Sequence, residues 1–185
     1  IFQMEGGFAL LEAGFIRPKN AISIIAKVII DIIFGGIAFY AVGFGIAYGN
    51  SNGWWAFGFG ILSQDLGLNL TISNTLFWFI QMGFAVAAIS IVSGGVAERM
   101  KIWAYAVFVI IFSAFMYPLA ANWVWNPHGW LATQGFNDFA GSSAVHAMGG
   151  FAALAGAIVL GPRIGKYNAD GSINPMPGHN LPLAA

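Results

Sequence analysis

Five side chains in this sequence have types and spacings that could hold and discharge a small cation: Trp125, Gln81, Phe84, His146 and Asp138. An indole such as Trp125 offers the strongest aromatic face to a cation. An imidazole such as His146 can stay neutral, accept or donate a hydrogen bond, or relay a proton. Asp138 stands at the start of the apolar run that carries His146, where a carboxylate satisfies the free amides of a helix N-terminus. His146 follows it by eight residues, a depth of about 12 Å at helical rise. Phe84 lies nine residues after Thr75, at about 13 Å, so the benzyl and imidazole rings are expected at one level. Gln81 precedes Phe84 by three residues on the same face. From the Trp125 end inward the expected order is Trp125, Gln81, Phe84, His146. Such an order suits a cation first held by aromatic faces and then stripped of its charge before a dry passage. The plainer alternatives stay open at this point: a structural histidine, an ordinary core phenylalanine and a tryptophan anchored at a membrane interface.

Four other ionisable residues fall within apolar runs, where they are costly and mark function or structural pairing. Glu5 and Glu12 are seven apart, on one face of a first helix. Lys27 and Asp31 are four apart and positioned to pair, and Lys27 could instead meet Glu12 or reach the nearby helix end. All four are read as contacts between helices rather than as a proton path. The small-residue run Ala140, Gly141, Ser142, Ser143, Ala144, continued by Gly149, Gly150 and Gly156, is read as a close-packing surface.

These residues need long apolar helices to position them. The chain is 58% hydrophobic and 8% charged, with mean hydropathy +0.76, where soluble domains carry about a quarter charged residues. Five runs have helical character: 1–15, 21–48, 75–96, 102–124 and 139–160. A sixth helix starts near His179. A spanning helix needs roughly 20 residues, so the first run is short and is expected to be cut at its outer end. Because the sequence begins at Ile1 without a basic leader, it is read as a piece of a longer protein, one transmembrane domain over residues 1–185. Arg17 and Lys19, Arg99 and Lys101, and Arg163 and Lys166 occupy alternate loops, while the loops 49–74 and 126–137 hold no Lys or Arg. Positive charge stays on the cytoplasmic side during insertion, so the chain is oriented with its first residues outside. In the outer loops, Trp54 and Trp55 are placed at the headgroup level and His128 in water. The fold class is an all-α, polytopic transmembrane bundle.

Composition also excludes several classes. The formal charge is zero, which argues against a nucleic-acid partner. There are no cysteines, so a disulfide framework or thiolate metal site is ruled out. The stretch GFGIAYG lies in an apolar run without a phosphate-binding lysine. No cofactor is expected. His128, His146 and His179 are expected at three different places along the membrane depth, so no metal triad or nucleophile–base pair points to an enzyme.

The stretch DFAGSSAVH, residues 138–146, continued by AMGGFAALAGAIVLGPRIGKY, closely resembles the signature of the ammonium transporter (Amt/Mep) family. GFALLEAGFIRPKN (7–20), GGVAERMK (94–101), NWVW (122–125) and GHNLP (178–182) match it too, in the family's order and over nearly the whole chain. The resemblance implies two inverted five-helix halves plus a terminal helix, assembled as homotrimers with one pore per subunit. This chain resembles the first half with the start of the second. Trp125 and Phe84 then match an outer cation site and the upper gate, and His146 the first of two pore histidines. Asp138 matches an acidic residue that shapes the site without touching substrate. Ile80 stands where some members carry another aromatic, and NPHGW where many have a glycine run. A second gate Phe, an outer-site Ser and the partner His would all lie beyond this sequence.

The function implied is ammonium or ammonia transport for nitrogen uptake, with methylammonium as a possible second substrate, in the plasma membrane. The resemblance also admits a cytoplasmic regulatory protein as partner. The alternative from a different class is an ammonium sensor, its pore domain coupled to a signalling domain. An Rh-type gas channel shares the bundle, but such proteins generally lack an outer tryptophan like Trp125.

Overall fold

The apolar runs fold as helices because the hydrocarbon interior of a bilayer leaves a backbone no partner but itself. In the computed structural model, which describes residues 1–58, 68 and 70–185, α1 spans Phe2–Phe15. Four longer apolar helices follow, each sufficient in length to cross a membrane: α2 (Pro18–Tyr48), α3 (Asn74–Gly95), α4 (Ile102–Thr133) and α5 (Ser142–Leu160). A short α6 (Leu181–Ala184) carries Pro182 in its first turn. This is the all-helical transmembrane bundle expected from the sequence. A two-stranded antiparallel ribbon, β1 (Asn50–Ser51) with β2 (Ala56–Phe57), follows α2. Residues 59–67 and 69 of the long loop after it lie outside the described residues.

Helix ends follow local rules. Ser73 caps α3 by accepting from the Leu76 amide at 3.2 Å, and Asn180 caps α6 through the Leu183 amide at 3.1 Å. The regular part of α4 ends at Trp125 and resumes at Trp130–Thr133. Three helices contain wide π-helical turns: residues 31–35 and 39–43 of α2, 112–116 of α4 and 142–147 of α5. The periodicity of the sequence did not announce them.

The core lies where α3 crosses α2, α4 and α5. Its buried face is built from Ala85, Ala88, Ile89 and Val92, against Phe39, Phe44, Val109, Phe112 and Val145. Small residues set the α3–α5 distance: a Cβ at Gly149 would lie 2.6 Å from the Ala88 carbonyl oxygen, and one at Gly156 2.8 Å from Val96. Gly150, expected on the same packing surface, has open space around it. Ala140 and Ser142 are likewise exposed, so the close-packing run reduces to Gly141 and Ala144.

The three loops carrying the basic residues meet at one end of the bundle. Glu98 joins them there, with Arg17 Nε at 2.9 Å, Asn20 Nδ2 at 2.6 Å and Arg163 Nη1 at 2.7 Å. Its side chain is wholly shielded and its backbone is left-handed, φ 61°. Burial opposes the charge of Glu98. The bonds from Arg163, Asn20 and Arg17 outweigh that and bring its carboxyl down to about 2. At the opposite end stand Trp125, the ribbon and Trp54, which stacks on Trp130 at 5.0 Å.

Candidate functional site

The site at the Trp125 end is built from the chain between α4 and α5. Expected to start at Phe139, α5 starts at Ser142 instead, and Phe139 is 98% exposed. Gly141 explains the delay: at φ +91° it turns the chain into the helix in a conformation open to few other residues. A Cβ there would lie 2.7 Å from Val145 Cγ2 and 3.4 Å from the Trp125 ring. His146 therefore lies one turn inside its helix, not two, and nearer the Trp125 end than the spacing from Asp138 implied.

Asp138 does cap this helix, from outside it. Its Oδ1 accepts from the amides of Gly141 at 2.7 Å and Ser142 at 2.9 Å, and from the Ser142 hydroxyl at 3.2 Å. Its Oδ2 accepts from the amides of Ser143 at 2.8 Å and Ala144 at 2.9 Å. Burial opposes its charge, since it is only 5% exposed. The four backbone amides outweigh burial and hold its carboxyl below the ordinary aspartate value. With both oxygens so engaged, Asp138 shapes the turn and supplies fixed negative charge.

Trp125 is locked to the same turn: its indole N–H donates to the Asp138 carbonyl at 2.7 Å. Its ring meets Phe84, with centroids 5.5 Å apart and planes inclined by 55°. Both side chains are half-buried. Phe84 sits ten residues inside α3, so Trp125 is not the outermost member of the set. The order differs from the expected one: Trp125 and Phe84 share a level, and Gln81, one turn nearer the end of α3, lies outward of them. The side-chain amide oxygen of Gln81 is buried without a hydrogen-bond partner among the described residues.

His146 joins the cluster through Gly141. Its amide donates to the Gly141 carbonyl at 2.9 Å, and its Nδ1 lies 3.1 Å from the same oxygen. A carbonyl only accepts, so the bond places hydrogen on Nδ1 and leaves the Nε2 lone pair facing away from the turn. The imidazole is exposed on the open side of α5, the least covered long helix, with Phe151, Ile158 and Val159 at 71%, 71% and 83% exposure. The structure thus brings together Trp125, Phe84 and Asp138 by direct contact and His146 through Gly141, while Gln81 belongs to the group by helical position. Sequence reasoning missed Gly141 as the hinge of the site; its signal was a glycine three residues after a capping aspartate.

Comparison with known proteins decides the family. A profile of the Ammonium Transporter Family matches residues 1–185. The chain belongs to the ammonium transporter family. It is 40% identical to the ammonium transporter Amt2 of Archaeoglobus fulgidus, over 98% of this chain and 40% of that one. It is 38% identical to ammonium transporter 1 member 3 of Solanum lycopersicum, over 99% of this chain and 41% of that one. Among solved structures it superimposes on a sensor Amt protein with TM-score 0.90 at 40% identity, covering 99% of this chain and 47% of that one. The Mep2 structure of Candida albicans gives TM-score 0.80 at 28% identity, over 98% and 41%. The chain therefore spans less than half the length of these family members. Membership together with four membrane-length apolar helices makes it an integral membrane protein.

Proposed function

We propose that the protein of which this chain forms part is an ammonium transporter, a channel-like conductor of ammonium and ammonia used for nitrogen uptake. The observation that carries the reading is the aromatic pair Trp125 and Phe84 locked onto the turn that presents His146. Ammonium is held first, against the Trp125 ring, by cation–π attraction. Losing its proton near Phe84 follows because a bare charge enters a dry passage only at great cost. Neutral ammonia then passes His146, and the proton either returns to the side it came from or travels along histidines. Asp138 lowers the cost of holding the cation through its fixed charge and the backbone it orders, without touching substrate.

In this reading the open face of α5 around His146 lines the passage, and a second set of spans covers it. The basic end faces the cytoplasm, the Trp125 end and the first residues face outward, and the membrane is the plasma membrane. The assembly is a homotrimer, with methylammonium as a second substrate and a cytoplasmic protein as regulator. The test is uptake of methylammonium by the full-length protein in liposomes. Asp138→Ala and His146→Ala abolish it; wild-type uptake by both variants refutes the roles given to these residues.

One observation favours a sensor as the second reading. The superposition on a sensor Amt protein covers 99% of the chain at 40% identity. A signalling domain in the same reading frame distinguishes the two.

A further inference from the structure

Away from the Trp125 end, α1, α2, α3 and α4 enclose a second polar group that the transport reading does not use. Glu5, Asp31, Ser93, Ser90 and Lys27 are all 2% exposed or less. The Ser90 hydroxyl is bonded to Glu5 Oε2 and lies 3.3 Å from Asp31 Oδ2. A serine has one proton to donate. With both carboxyls ionised, only one of these two contacts could be a hydrogen bond, and the other would set lone pairs against each other. One added proton removes the conflict: one carboxyl donates to Ser90, and Ser90 donates to the other. The remaining oxygens, Glu5 Oε1 and Asp31 Oδ1, are buried without a hydrogen-bond partner among the described residues, a heavy penalty for two full carboxylates. Glu12 differs in being only half-buried and in receiving the Gly94 amide; the Ser93 hydroxyl, 2.8 and 2.7 Å from its two oxygens, also faces the Ser90 carbonyl at 2.8 Å.

Charge balance leads to the same count. Lys27 and Asp31 do not form the ion pair that their spacing suggested; the Lys27 ammonium lies over the Tyr105 ring, 5.1 Å from its centroid. Its charged neighbours are Glu12, Asp31 and Arg99, and those of Asp31 include Glu5 and Glu12. From α4, the Tyr105 hydroxyl faces the Ile89 carbonyl at 3.4 Å and also lies within hydrogen-bonding reach of Asp31 and Ser93. Three carboxyls thus face two cations, and a single proton makes the group neutral, as a low-dielectric interior demands. The amino group of Ile1 also neighbours Glu5; it carries charge only at a chain terminus, so the count omits it. A cavity of about 240 Å³ at the basic end is lined by Asn20, Ser23, Arg99, Lys101 and Lys27, and Lys27 precedes Asp31 by one helical turn.

We propose that Glu5, Ser90 and Asp31 form a proton-binding site, holding one exchangeable proton between two carboxyl groups. The site is separate from the Trp125 turn and does not depend on the reading given to it. Infrared difference spectroscopy of the full-length protein in lipid nanodiscs, with exchange from H2O to D2O, tests it. The wild type shows the carbonyl band of a protonated carboxyl, shifted by deuterium. Glu5→Gln combined with Asp31→Asn removes one carboxyl's intensity from that band, whereas Glu12→Gln keeps it. Absence of the band in the wild type, its persistence at full intensity in the double variant, or its loss in Glu12→Gln overturns the proposal. If the double variant does not fold, Ser90→Ala replaces it: loss of the bridging hydroxyl shifts the band's frequency, and an unmoved band overturns the proposal.

Discussion

Two carboxylates, Asp138 and Glu98, anchor opposite ends of this bundle in opposite ways. Asp138 is satisfied by backbone amides three to six residues ahead of it. Glu98 is satisfied by side chains 65 to 81 residues away, drawn from two other loops. The first organises one turn, while the second ties loops together. Both are held in their charged forms, but through different means: peptide amides of its own turn in one case, and in the other two arginines, an asparagine and one amide from other loops. A carboxylate serving its own turn concentrates its effect on local geometry, and hence on whatever that turn presents. One serving distant loops spreads its effect over the assembly.

The strongest break of this contrast is Asp138→Ala. It leaves four amides without their acceptor, and we expect methylammonium uptake by the full-length protein to fall below detection. Loss of the cap alone costs about 1–2 kcal/mol in thermal unfolding. Glu98→Gln should divide these effects differently: unfolding easier by about 1–2 kcal/mol, with the initial rate of uptake by the folded fraction unchanged. An uptake defect as deep as that of Asp138→Ala would erase the distinction. Trp125→Leu tests the aromatic partner of the Asp138 turn. A cation–π contact of about 0.5–2 kcal/mol translates into a 2- to 30-fold rise in the half-saturating methylammonium concentration. Acid sharpens the contrast further. The Glu98 carboxyl lies at about 2 against an ordinary 4.5, so its stabilisation is full above pH 4.5 and drains away as pH falls toward 2. The melting temperature should decline through that window, and less steeply in Glu98→Gln. The smallest effect belongs to His128→Ala: this exposed side chain is expected to leave uptake and melting unchanged.

The same contrast governs what could be read in the sequence. Asp138 as a cap, the apolar spans and their alternation depend on spacings of a few residues, and these were legible. The contact between Trp125 and Phe84 was legible as a shared neighbourhood, but not as a shared level. Its true depth depends on how far α3 extends past the end of regular helix in α4. The start of α5 was misplaced by three residues because Gly141 interrupts an otherwise apolar run. Lys27 and Asp31 looked like a pair by spacing alone, yet Tyr105 and Ser90, from two other helices, take the positions that decide their contacts. Glu98 had no local signal, since every partner bonding its carboxylate lies on another loop.

The wide turns in α2, α4 and α5 carry a consequence for anyone drawing these helices as regular spirals. Each surplus residue offsets everything beyond it by about 100° around the axis. A wheel plotted straight through residues 142–147 would assign the flank of α5 to the wrong neighbours, and shortening that stretch by one residue would swing the imidazole away from the Gly141 carbonyl while leaving composition and hydropathy almost untouched. Insertions and deletions here are changes of direction rather than of length.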